Sequence, residues 1–151
     1  MRRLLYTMQM KGRTSRSFEP SKPLRTTGSA ASCVLSTVIS ASGVRTDVTP
    51  CDGDLAFFES ELRLTGADEF QEAGEISFGE GRDHALRFST AGQGHFASGF
   101  EPGTITGTAS WRVEGGNGEF AGACGYITSI FTITPAGERC DMHCGIIFLP
   151  E

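Results

Sequence analysis

The stretch Thr104-Ile105-Thr106-Gly107-Thr108-Ala109-Ser110-Trp111-Arg112-Val113-Glu114 alternates without a break. Ile105, Gly107, Ala109, Trp111 and Val113 fall on one face; the hydroxyl and charged residues fall on the other. A helix would repeat its apolar positions every three to four residues, whereas a period of two marks a half-buried β-strand. Gly115-Gly116-Asn117-Gly118 follows, a run of residues that tolerate positive φ and predict a turn. Downstream, Ala123 to Thr134 alternates again, with Ile127, Phe131 and Ile133 opposite Tyr126, Thr128 and Thr132. Pro135-Ala136-Gly137 supplies the next turn. A last strand is expected from about Asp141 to Leu149, with Met142, Cys144, Ile146 and Phe148 on one face. His143 opposes them and is expected to face outward or to pair with Asp141 at a rim.

The same rhythm runs upstream, less regularly. Leu5 to Lys11 sets Tyr6, Met8 and Met10 against Thr7, Gln9 and Lys11. Cys33 to Ile39 is rich in β-branched residues. Ala56, Phe58, Ser60, Leu62 and Leu64 alternate with Phe57, Glu59, Glu61 and Arg63. Glu75 to Phe78 and His84 to Thr90 predict a hairpin around Gly79-Glu80-Gly81-Arg82-Asp83. Arg13 to Thr27, with Pro20 and Pro23, is expected to be a long polar connection, and Gly66 to Ala73 a short helix. Gly92 to Gly103 is read as turn, with a short strand at His95 to Ser98. About eight short antiparallel strands with Gly-rich turns fit a sandwich or an up-and-down barrel. Closure removes unpaired edges, so the expectation is an all-β, single closed barrel of about eight strands over residues 1–151.

Composition narrows the function. A chain of 151 residues is long enough for a core of its own, without disulfides or a structural metal. A net charge of −5 argues against a nucleic-acid binder held by phosphate contacts. No run reaches the ~18 apolar residues of a membrane span. Met1-Arg2-Arg3-Leu4-Leu5-Tyr6 is too quickly interrupted by Gln9 and Lys11 to be a signal segment. No hydrophobic run precedes Cys33, so Gly28-Ser29-Ala30-Ala31-Ser32 is not read as a lipidation site, and a cytoplasmic location is expected. Five cysteines, an odd number, do not suggest a disulfide framework. Cys140, His143 and Cys144, with Asp141, invite a zinc reading. On a strand, however, residues four apart stand about 13 Å from each other, too far to share one ion. No metal and no cofactor are expected.

Gly115-Gly116-Asn117-Gly118-Glu119-Phe120-Ala121-Gly122-Ala123-Cys124-Gly125-Tyr126 resembles the G-G-x-G-x-F-x-x-A-x-G segment of allene oxide cyclase-like and dirigent-like barrels. It is also similar to calycin-like bacterial domains. The close match covers about a dozen residues. The resemblance implies an eight-stranded barrel, often oligomeric, that holds a small apolar molecule. Where such proteins are enzymes, they steer cyclisation or isomerisation without a cofactor. No pocket acid or arginine of the family carries over to a position of this chain.

The candidate site residues follow from parity. His84 shares its face with Leu86 and Phe88, which puts an imidazole near the mouth of the expected lumen; it is the acid–base candidate, with Glu80 nearby. His95 is expected in a turn. Tyr6, Ser60 and Ser129 are candidate hydrogen-bonding groups. Phe58, Phe78, Phe88, Trp111 and Phe131 either line a ligand cavity or fill the core. Glu59 and Glu61 share a face as a glycosidase pair would, but Arg63 continues that face, as a solvated surface does. The expected function is a cofactor-free isomerase, cyclase or related lyase acting on a small, largely apolar molecule in the lumen; the alternative is a non-catalytic carrier or sensor of such a molecule, and a third option is a filled barrel serving assembly. A homodimer or homotrimer is expected, from the resemblance and from outward Ile130 and Phe57.

Overall fold

The computed structural model describes residues 1–15 and 21–151. Among them lie ten strands: β1 (Arg2–Thr14), β2 (Leu24–Ser40), β3 (Gly43–Pro50), β4 (Ala56–Leu64), β5 (Glu69–Phe78), β6 (His84–Thr90), β7 (Gly94–Ser98), β8 (Ile105–Asn117), β9 (Cys124–Ile133) and β10 (Glu138–Leu149). The helical content of the described residues is one 3-10 turn, Gly118–Phe120. Every pairing is antiparallel. Eight strands form a continuous ring, β1-β10-β9-β8-β6-β5-β4-β2, and β2 returns to β1 through Met8↔Ser32 to Thr14↔Thr26. β7 joins β5 to β8 at the far end of β6.

The strands form where the side chains alternate, and the ring buries one parity of each. Gly107, Ala109, Trp111 and Val113 of β8 point inward, as their spacing predicts; Ile105, at the strand's start, is partly exposed. Two inward glycines admit aromatic rings. A Cβ on Gly107 would sit 2.3 Å from the Phe131 ring, and one on Gly94 equally close to Phe70. Between Leu86 and Phe88 the β6–β8 register shifts by one residue, a β-bulge that places Gly115 at φ 78°.

Four expectations need correction. Gly66 to Ala73 holds no helix: β5 starts at Glu69, because Phe70 and Glu72 alternate inward against Leu64 and Leu62 of β4. The polar connection shrinks, since β1 runs to Thr14 and β2 begins at Leu24; Pro20 lies outside the described residues. Gly115 to Asn117 continue β8 rather than turn, and the reversal falls on the 3-10 turn. β3 was not anticipated. It returns from β2 over a two-residue turn, Ala41-Ser42, and the hairpin runs beyond the ring.

Candidate functional site

Inside the ring, β10 contributes Arg139, Asp141 and His143, all fully buried. Arg139 Nη1 and Nη2 donate to the Glu72 carboxylate of β5 at 2.9 and 3.3 Å, and Nη2 donates to Asp141 Oδ2 at 2.7 Å. Ser60 donates to Glu72 at 2.6 Å and Ser129 to Asp141 at 2.7 Å. Thr26 accepts from Arg139 Nη1 at 3.2 Å and meets Thr14 at 2.9 Å. The guanidinium lies 4.0 Å from the centre of the Phe131 ring. Five strands therefore converge on one buried cation and two buried carboxylates, with hydroxyls occupying further lone pairs. Such a set holds together because each charge removed from water meets an opposite charge and hydrogen bonds.

Toward the other end, His143 Nδ1 stands 3.3 Å from the Tyr6 hydroxyl. Its Nε2 is 3.3 Å from Asp141 Oδ2 but is out of line for a hydrogen bond. Burial works to raise the Asp141 carboxyl, yet His143, Arg139 and Ser129 more than offset it and hold its pKa below the usual value. Burial also opposes charge on Arg139, and Glu72 and Asp141 outweigh it, so its pKa lies above the ordinary value. The Tyr6 phenol is pushed up, by burial first and by Asp141 second.

Aromatic residues cluster beside this network in the interior. Phe88 and Trp111 stack at 4.2 Å between centroids, Phe58 covers both at 5.5 and 5.6 Å, and His143 meets the Trp111 ring edge-on at 4.9 Å. Phe58, Phe88, Trp111 and Phe131 thus pack against aromatic neighbours within the ring. Clefts lie at the ring's two ends. The larger, about 660 Å³, is lined by Leu24, Leu64, Phe96, Phe100, Ile105 and Ile133, with Asp68 and Glu101 among its charged residues. The smaller, about 280 Å³, includes Tyr6, Phe78, His84 and Phe120. A groove of about 640 Å³ on the outer wall is bordered by Arg25, Glu59, Glu61, Glu75 and Arg87.

The sequence-derived candidates divide accordingly. Tyr6, Ser60 and Ser129 all point inward and all make hydrogen bonds of the buried network. Phe78 is half-buried at the smaller cleft. His84 is exposed at that cleft's rim, where its Nδ1 accepts the Glu119 backbone N–H at 3.0 Å. Glu80 is exposed in the turn between β5 and β6, and His95 is exposed on β7. Glu61 pairs with Arg25 and Arg63 on the outside. Ile130 is exposed, while Arg82 lies over the Phe57 ring at 4.0 Å.

His143 requires the main correction. It points inward, and Met142, Cys144, Ile146 and Phe148 take the outer face of β10. Apolar parity alone places Met142, Cys144, Ile146 and Phe148 inside, but Ile147 and Leu149 share the parity of Arg139, Asp141 and His143, and those residues carry the strand inward. Cys140 and Cys144 therefore lie on the face opposite His143, and all five cysteines are free. Among the described residues, no group of three His, Cys, Asp or Glu is placed to hold a metal ion. No helix among them is long and apolar enough to cross a membrane. Glu72, Arg139 and Asp141 went unassigned as site residues. The readable signal was the Arg139-x-Asp141-x-His143 spacing, three polar groups on one face of a strand that ends in Ile147 and Leu149. No protein-family model, curated protein or solved structure matches the chain.

Proposed function

We propose that the ring is a calycin-type closed barrel that binds a small, largely apolar molecule at its Phe96–Phe100 end and does not convert it. One observation carries this reading: the end cleft of about 660 Å³, walled by Leu24, Leu64, Phe96, Phe100, Ile105 and Ile133. Its size falls within the ~300–1,000 Å³ of small-molecule sites, which are mostly apolar with few polar groups. Phe96 ties the cleft to the core, lying 4.5 Å from Phe70 and 6.1 Å from Phe131. Phe100 is fully exposed on the loop between β7 and β8, a position that can close over an apolar guest. The buried ionisable groups are engaged with one another, and His84 stands at the other end. Titration with a fluorescent apolar probe such as 1-anilinonaphthalene-8-sulfonate tests the reading. Saturable binding weakened about tenfold by Phe100→Ala, with the fold unchanged, is expected. Equal binding by wild type, Phe100→Ala and Ile105→Ser would overturn it.

A second reading, a cofactor-free isomerase, cyclase or lyase, draws on the smaller cleft. Tyr6 lines that cleft beside His84, and its hydroxyl meets His143, which neighbours Asp141. The Tyr6–His143 pair, with His84 at the rim, would supply the acid–base groups for an apolar substrate held at that mouth. Conversion of a small epoxide or enone probe, lost in Tyr6→Phe and kept in Phe100→Ala, would replace the binding reading with this one.

A further inference from the structure

From Val34 to Pro50 every residue is exposed. β3 pairs with β2 alone, so its other edge carries unpaired backbone groups among the described residues. The register Leu35↔Val48, Thr37↔Thr46 and Ile39↔Val44 places these six residues on one side of the hairpin, with Ile39 79 % and Val44 70 % exposed. A two-stranded ribbon with an uncovered apolar side is marginal in water; a third strand or more is needed for stability. An open edge of this kind is a template for strand addition.

The sequence along that edge selects the occupant. Val44-Arg45-Thr46-Asp47-Val48 is antisymmetric in charge about Thr46. We propose that β3 pairs antiparallel with β3 of a second copy, centred on Thr46, making a four-stranded sheet across a two-fold axis. Val44 then faces the partner's Val48, and Arg45 faces the partner's Asp47, twice over by symmetry. Such an isologous contact is self-complementary, as two-fold interfaces require. Within one chain Arg45 Nε already lies 3.3 Å from Asp47 Oδ2, so both charges stand on the same side of the strand, ready to exchange partners. Other registers are penalised. Centring on Arg45 or on Asp47 sets like charges opposite each other, and a one-residue slip opposes Val44 to Asp47. This dimer does not depend on the ligand reading above.

Sedimentation equilibrium on the full chain tests it with a charge swap. Wild type is expected to dimerise in the micromolar range. Arg45→Asp alone and Asp47→Arg alone should each raise the dissociation constant about tenfold or more, because each sets like charges opposite. An equimolar mixture of the two variants should restore dimer, since the opposite charges again face each other. Circular dichroism of each variant should match wild type, as the altered side chains are exposed. A monomeric wild type, a dimer indifferent to either substitution, or a mixture that stays monomeric would each overturn the proposal.

Discussion

β10 and the β2–β3 hairpin carry the same alternation and meet opposite fates. On β10 the inward parity includes Arg139, Asp141 and His143, none of them exposed to water. On the hairpin the apolar parity holds Leu35, Ile39, Val44 and Val48, all of them in water. Hydrophobicity alone would have reversed the two. What decides burial is whether a strand belongs to the ring. β10 is held between β1 and β9, so one face is enclosed whatever it carries, and its charges must find partners across the interior. The hairpin has left the ring, so no opposing wall exists for its apolar face. Closure sets the inside; the side chains then adapt through pairing or through association.

The largest effect is expected where the enclosed charges lose their cation. Arg139→Met leaves Glu72 and Asp141 buried without compensation and should cost about 3–5 kcal/mol in chemical denaturation. Adding Glu72→Gln and Asp141→Asn to that variant should recover much of the loss. A single Arg139→Met that denatures like wild type would mean that the network is solvated rather than sealed.

Next comes packing. Gly107→Ala forces a methyl into the Phe131 ring, and overpacking of this kind costs about 1–3 kcal/mol. The cost of Gly107→Ala should shrink when it is measured in a Phe131→Leu background, where the methyl no longer meets the ring. An unchanged midpoint in the single variant would contradict the close approach of β8 to that ring.

Acid should act on the same region more gently. The Asp141 pKa is lower in the folded chain than its ordinary value near 4, so its ionised form contributes stability above that pH. That contribution is lost as pH falls below about 4 and through the folded-state pKa. Asp141→Asn should therefore flatten the acid limb of a stability–pH curve.

The smallest effect belongs to the hairpin. Ile39→Ser alters an exposed side chain and should move ring stability by no more than about 0.5 kcal/mol at concentrations where the chain is monomeric. A loss of several times that would show the hairpin packed against the ring.

Much of the fold was legible because strand parity survives in the sequence. β4, β6, β8 and β9 lie close to where their alternation places them, and the inward positions of Phe58, Ser60, Trp111, Ser129 and Phe131 follow from it. The misses share one cause, which is that pattern reading assigns apolar residues inward. It turns β10 inside out at His143, and it does not place Glu72 of Gly66 to Ala73 on the inner face of a strand. β3 escaped for the converse reason: Gly43–Pro50 has a clear strand rhythm but no buried face to confirm it. Of the site, the hydrogen-bonding members Tyr6, Ser60 and Ser129 were readable. The charged pair of Glu72 and Arg139 was not, since that pairing spans sixty-seven positions of chain and exists only once the ring closes.

The measurement that bears most directly on the central claim, a packed and charge-paired interior with ligand binding at one end, is amide and indole chemical-shift mapping of the full chain during titration with an apolar probe. The account predicts shifts grouped at Leu24, Leu64 and Phe96 to Ile105, with the Trp111 indole N–H and the amides of Arg139 to His143 unmoved. A probe that perturbs the Trp111 indole and His143 while leaving Phe96 and Phe100 untouched would contradict it, and would place the guest inside the ring.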